Sequence, residues 1–137
     1  MTLLSIVLPV YNEEHNVRRA YTEISEVFET LPDVHIEFIF ADNHSTDGTF
    51  AELRRLAAED SRVRVLRYAR NFGFNRSLLT AYRHAKGAAA KETGNGSVPV
   101  ILITYATSED AVRKALAAVG RDRVISGRPQ VIRIEKN

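Results

Sequence analysis

The sequence of 137 residues contains no cysteine. This absence excludes disulfides, thiolate metal ligands and a cysteine nucleophile, and it fits a reducing, cytoplasmic location. No apolar run approaches the roughly 18 residues that a transmembrane helix needs. The start, MTLLSIVLPVYNEE, has neither a basic segment nor a small-residue cleavage site. We therefore expect neither a membrane span nor a signal peptide.

Acidic residues are missing from positions 61–91, although the formal net charge of the whole chain is only +2. The same stretch carries Arg62, Arg64, Arg67, Arg70, Arg76, Arg83, Lys86 and Lys91. A segment with charge of one sign attracts anions such as phosphate. The alternative is a solvated basic surface without a ligand. The small net charge gives no support for a nucleic-acid partner, and none is expected.

Hydrophobic residues make up 45% of the chain and charged residues 26%, which is typical of a globular protein. Branched and aromatic runs predict strands at 3–10, 35–41 and 62–68, and apolar residues at helical spacing follow each of them. The inward positions of the first helix are predicted to be Val17, Ala20, Tyr21, Ile24, Val27 and Phe28. The pattern predicts an α/β fold, mainly a parallel sheet with helices on both faces in three layers, of Rossmann-like type.

Small polar residues follow the first two predicted strands, in YNEE (11–14) and ADNHSTDG (41–48). The carboxyl ends of parallel strands meet at one edge of a sheet, where ligands bind in such folds. Structural alternatives exist for the same residues: Asn12 as a cap of the first helix with Glu13 in its first turn, residues 45–47 as a helix start, and Arg70 in a surface ion pair.

Three sequence blocks, SIVLPVYNEEHNV, FADNHSTDGT and RNFGFNRSLLTAYRHAKG, occur in this order. Together they resemble the signatures of the family-two glycosyltransferases, inverting enzymes of the GT-A fold. The resemblance covers about residues 3–88, the nucleotide-sugar-binding half of that family. It is strongest to the branch that acts on lipid phosphates or makes surface polysaccharides. It implies a UDP- or GDP-type nucleotide as ligand.

The resemblance also implies which residues contact that nucleotide. Residues from the first block would line the base and ribose pocket, Asp42 would accept a hydrogen bond from the uracil or guanine ring, and residues from the third block would face the diphosphate or the base edge. The full set of candidates is Pro9, Tyr11, Glu13, Asp42, Asn43, Arg70, Asn71 and Arg76. Asn43 and His44 stand where many relatives have Asp and Gly, so the base preference stays open.

The family places an Asp-x-Asp-like pair at the end of the next strand, where it holds Mg²⁺ or Mn²⁺, and a catalytic carboxylate further on. Here that strand, VPVILITYATSED, ends in residues 104–107 without a carboxylate. Glu109 and Asp110 follow at positions typical of a helix's first turn. We therefore assign no catalytic or metal-binding residue and no required cofactor. Mg²⁺ or Mn²⁺ is expected only together with a bound nucleotide diphosphate, and binding without turnover is favoured over an active transferase.

Residues 97–135 resemble a different protein, the C-terminal ACT-type region of homoserine dehydrogenase. The chain is therefore interpreted as a chimera, natural or made in the laboratory, that forms a single α/β domain over 1–137. Residues 1–88 are the glycosyltransferase-like segment, 89–97 the joint and 98–137 an ACT-like βαββ segment. The alternatives are a protein without a ligand and an amino-acid-binding regulatory module. A homodimer through an exposed sheet edge is a further expectation.

Overall fold

A computed structural model describes residues 2–85, 100–102, 110, 113–114, 117–118 and 121. Its elements are β1 (Thr2–Val10), α1 (Val17–Glu29), β2 (Val34–Asp42), α2 (Thr49–Glu59), β3 (Val63–Arg67), α3 (Phe74–Arg83) and β4 (Val100–Leu102). The four strands form one parallel sheet in the order β3-β2-β1-β4. The predicted α/β class and the parallel sheet are confirmed.

Strand β2 lies inside the sheet and is buried on both faces. Phe38 and Phe40 pack with α1 and α2 on one face, and Ile39 packs with α3 on the other. Each fully buried side chain of this size contributes about 1.5–3 kcal/mol. The predicted arrangement of helices on both faces is therefore confirmed, and it explains why β2 is an almost continuous apolar run.

The chain moves outward from β1 through β2 to β3 and then returns to the other side of β1 as β4. Pairing of β4 with β1 runs from Ser5↔Val100 to Val7↔Leu102, so part of the strand predicted after residue 97 is confirmed. The six described positions from 110 to 121 are helical, so the helix predicted in this segment is present, but its predicted end at Gly120 is wrong because Arg121 is also helical. The joint at 89–97 and the rest of the ACT-like segment lie outside the described residues.

The start of α1 differs from the prediction. Asn12 has a left-handed backbone, with φ of 53°, and the helix begins only at Val17 with Asn16 as its N-cap. Asn12 does not cap α1, because the backbone amides of residues 12–14 donate to the chain that follows β2. Val27, predicted in the core, is 59% exposed, whereas Ser25 on the same helix is buried.

A buried carboxylate in β2 was not foreseen from the sequence. Glu37 is only 3% exposed and accepts a hydrogen bond of 2.7 Å from the Ser5 hydroxyl on β1. Arg64 on β3 lies 3.4 Å from the other carboxylate oxygen and donates to the His84 carbonyl, 2.7 Å away, at the end of α3. This polar row ties β1, β2, β3 and the end of α3 together, because a buried charge requires partners.

In the part of the chain that the structure describes, no helix combines the length and the apolar character needed to cross a bilayer.

Asp60 joins the end of α2 to α1 at the amino edge of the sheet. Its carboxylate accepts hydrogen bonds from Tyr21 on α1, 2.7 Å away, and from the guanidinium of Arg62, 2.7–3.1 Å away. The hydrogen-bonded Arg62 side chain lowers the pKa of Asp60 from 3.8 to about 2, although burial opposes this shift.

Replacing Asp60 by Asn should lower the free energy of unfolding by about 1–2 kcal/mol at pH 7. Because the folded-state pKa lies below the unfolded value, this contribution is fully present above about pH 5 and fades as the pH falls toward 2. Urea unfolding of both proteins at pH 7 and pH 3 measures the difference. Asp33→Asn, at an exposed turn position, removes the same charge as a control. A loss of equal size at both pH values would contradict the prediction.

Candidate functional site

Three loops lie at the carboxyl edge of the sheet. Loop 1 (residues 11–16) follows β1, loop 2 (residues 43–48) follows β2, and loop 3 (residues 68–73) follows β3. Since β1, β2 and β3 are parallel neighbours, their loops meet at one edge. This edge is where ligands bind in open α/β sheets. All eight sequence-predicted candidates belong to these loops, to the strand ends or to the start of α3.

Loops 1 and 2 are joined by hydrogen bonds in both directions. The Asn12 amide donates to the Ser45 hydroxyl at 2.9 Å, and the Thr46 amide donates to the Asn12 side-chain oxygen at 2.8 Å. The Glu13 amide donates to the Thr49 hydroxyl at 2.8 Å. The left-handed conformation of Asn12 directs its backbone and side chain toward loop 2. The position therefore serves loop-to-loop contact rather than helix capping.

Glu14 belongs to loop 1, and its carboxylate lies at the N-terminus of α2 rather than in the first turn of α1. Its carboxylate accepts the Gly48 amide at 2.7 Å, which suits a negative charge at a helix N-terminus. A Cβ atom at position 48 would lie 2.5 Å from that carboxylate, so a larger residue there would displace the Glu14 side chain. Burial would raise the pKa of Asp47, but hydrogen bonds from the Thr49 hydroxyl and amide and from the Glu14 amide outweigh it and lower the pKa.

Loops 2 and 3 are joined through two of the candidate residues. The Asn43 side-chain amide donates to Asn71 Oδ1 at 2.7 Å, and Asn43 Oδ1 accepts the Phe72 amide at 2.9 Å. Asn71 Oδ1 also accepts the Gly73 amide at 2.8 Å, immediately before α3. The structure therefore brings Asn43 and Asn71 together, and their side chains fix the conformation of loop 3.

Asp42, the last residue of β2, is fully buried. Its Oδ1 accepts the Ser45 amide at 2.9 Å. Its Oδ2 has no hydrogen-bond donor among the described residues, and Arg67 Nε lies 3.7 Å from it. A buried carboxylate oxygen without a donor is costly, and such an atom calls for an explanation.

Arg67 is a residue of this site that the sequence interpretation missed. Its guanidinium carbon lies 4.2 Å from the centroid of the Phe50 ring, and Nη2 lies 3.4 Å from the Ser45 carbonyl. The strand register places Arg67 directly opposite Asp42. The sequence alone does not show that this arginine lies opposite an acid on the neighbouring strand, because the pairing depends on the strand register.

The remaining candidates lie in β1, in loops 1 and 3 and in α3. Pro9 is partly buried in β1, Tyr11 is 46% exposed, and the Glu13 carboxylate accepts the side-chain amide of Asn16 at 2.7 Å. Arg70 packs 4.8 Å from the centroid of the Phe72 ring, and Arg76 is exposed in the first turn of α3.

The acid-free stretch does not form one uniform basic surface. Arg62, Arg64 and Arg67 pair with carboxylates from other parts of the chain. Arg70, in loop 3, and Arg76, in the first turn of α3, are exposed. Arg70 and Arg76 keep the predicted character of an anion-attracting surface.

His44 also has a left-handed backbone, with φ of 63°. Glycine is the usual residue in this conformation, which costs an L side chain steric strain. The ring Nδ1 of His44 lies 3.0 Å from the Tyr68 carbonyl, and the Tyr68 amide donates to the Asp42 carbonyl at 3.0 Å. His44 thus adds a further link between loops 2 and 3.

Acidic metal ligands were not expected from the sequence. Within residues 2–85 and the other described positions, no group of three His, Asp or Glu side chains is placed to hold a metal ion. Asp110 is exposed and pairs with Lys114 at 2.6 Å. Glu109 and residues 104–107 lie outside the described residues.

Comparison with known proteins gives concordant matches. The sequence model described as "Glycosyl transferase family 2" matches residues 5–90. The prophage bactoprenol glucosyl transferase homolog of Escherichia coli K12 is 36% identical over 86 residues, which are 63% of this chain and 28% of that protein. The bactoprenol glucosyl transferase of Shigella phage SfV is 35% identical over the same shares. The chain thus spans about a quarter of the length of these relatives.

Among solved structures, the mannosyltransferase PcManGT of Pyrobaculum calidifontis, in complex with GDP-Man and Mn²⁺, is similar in fold, with a TM-score of 0.51 and 28% identity. The match covers 60% of this chain and 24% of that one. The family match spans more than half of the sequence. The chain belongs to glycosyl transferase family 2.

Proposed function

We propose that this chain binds a nucleoside diphosphate sugar at the carboxyl edge of its sheet. The observation that carries the proposal is Asp42, whose buried Oδ2 has no hydrogen-bond donor among the described residues. A ring N–H of a base is the donor that would satisfy it. The loops around Asp42 are held in place by one another.

The other candidates have positions that suit this ligand. Tyr11 and Pro9, at the end of β1, offer an aromatic and an apolar surface for the base and ribose. Arg70 and Arg76 offer positive charge beside loop 3 for the diphosphate, and an arginine binds phosphate through paired hydrogen bonds. Asn43 and Asn71 support the loop that presents Arg70.

The related structure contains GDP-Man and Mn²⁺, which supports a nucleotide sugar as the ligand class and a metal as its companion. The described residues of this chain do not supply a cluster that fits a metal ion. We therefore infer that Mg²⁺ or Mn²⁺ enters with the diphosphate and is held mainly by it.

Turnover by these residues alone is not part of the proposal. The segment after α3 has no Asp-x-Asp pair, and the chain corresponds to about a quarter of its relatives. The chimeric origin of residues 98–137 and a dimer through the sheet edge are carried by sequence arguments alone and stay proposals.

Asp42→Asn should weaken binding of UDP or GDP about 10- to 100-fold, because it replaces a charged acceptor by an amide. Calorimetric titration in the presence of Mg²⁺ measures the dissociation constants. The Asn side chain keeps an oxygen for the Ser45 amide, so the fold should survive, as a two-dimensional NMR spectrum would show. Asp60→Asn, at the opposite edge of the sheet, should leave binding unchanged. Equal affinities for Asp42→Asn and the parent protein would overturn the role of Asp42.

Release of UDP or GDP from the corresponding sugar nucleotides, followed with and without Mn²⁺, tests for turnover. We expect no release above background in either condition, while the same samples bind the nucleotide. Metal-dependent release, abolished by Asp42→Asn, would show that these residues form an active transferase.

A further inference from the structure

We propose that Arg67 is a second base-reading residue, which donates to a base carbonyl while Asp42 accepts from the adjacent ring N–H. The inference rests on the proposed function and assigns a specificity role to a residue outside the family-derived candidates. Its starting point is the pairing of a buried acceptor and a partly exposed donor at the ends of two neighbouring strands.

The geometry leaves one oxygen of Asp42 for a ligand. Oδ1 accepts the Ser45 amide at 2.9 Å, whereas Oδ2 faces Arg67 Nε at 3.7 Å, too far for a hydrogen bond. The two side chains therefore form an ion pair in which neither satisfies the other's hydrogen-bonding capacity. Both keep groups that a ligand can use.

Arg67 is placed to reach a ligand. Its side chain is 37% exposed, while that of Asp42 is 0% exposed. Phe50 supports one face of the guanidinium at 4.2 Å, and the Ser45 carbonyl engages only Nη2, at 3.4 Å. Guanidinium groups carry five N–H donors, so donors remain for a base carbonyl. Arg70 does not compete for this place, because it packs over Phe72.

An acceptor beside a donor on the protein selects one pattern of hydrogen-bonding groups on the edge of a base. The ring edge of uracil, and that of guanine, has an N–H next to a carbonyl, which matches Asp42 and Arg67. Cytosine has the opposite pattern, a bare ring nitrogen next to an amino group. Its ring nitrogen, an acceptor, would face the carboxylate, and its amino group, a donor, would face the guanidinium. A base that leaves buried polar groups of the site unpaired in this way is strongly rejected.

The test compares UDP with CDP, which share the ribose, the diphosphate and the ring size. Titration of the parent protein should give at least tenfold tighter binding of UDP. Arg67→Met should weaken UDP binding about tenfold and leave CDP binding unchanged or slightly stronger, so the ratio of affinities collapses. Arg67→Lys should recover part of the ratio, since Lys keeps a donor without the planar geometry.

Arg62→Met is the matched control. Arg62 also pairs with an aspartate, Asp60, and also lies over a phenylalanine ring, Phe38 at 5.9 Å, but at the opposite edge of the sheet. It should leave the UDP-to-CDP ratio unchanged. Thermal unfolding of each variant separates loss of fold from loss of selectivity.

Each outcome decides a different point. Failure of the parent protein to bind UDP, CDP and also GDP overturns the proposed function, and this inference with it. Equal binding of UDP and CDP by the parent protein leaves nucleotide binding standing but overturns base reading by this pair. An equal loss of both affinities in Arg67→Met, with the ratio unchanged, shows that Arg67 only supports the fold of the site.

Discussion

The burial of β2 on both faces is the constraint on which the rest of the structure depends. A strand between two helical layers has no room for unpaired polar side chains along its length. Glu37, the one charged residue inside it, requires Ser5 and Arg64 as partners. The other carboxylate of this strand, that of Asp42, lies at the end of the strand, immediately before loop 2. The site at the carboxyl edge follows from the way the sheet is buried.

The same constraint explains why the three loops are bound so closely to one another. Backbone amides that leave a buried sheet need acceptors, and here the acceptors come from neighbouring loops rather than from helix caps. Asn12 and Asn43 illustrate this, since each side chain serves an adjacent loop. A site held by its own hydrogen bonds loses little conformational entropy when a ligand binds, which favours affinity.

The periodicity of the sequence was sufficient to predict the strands, the helices, the parallel sheet and the location of the polar loops. It failed where a distant part of the chain decides the outcome. Asn12 is of a residue type that often caps helices, but its backbone amide donates to loop 2 instead. Val27 has helical spacing with the core residues, but it is 59% exposed. Arg67 looked like one of many basic residues until the register placed it opposite Asp42.

The proposed nucleotide site is separable from acceptor chemistry, because its three loops are linked to one another. Among the described residues, the hydrogen bonds that shape the loops join residues 10–73 to one another. Relatives of about four times the aligned length have further chain with which to supply the acceptor side. The nucleotide binding proposed for these three loops therefore does not require the acceptor chemistry of the longer relatives.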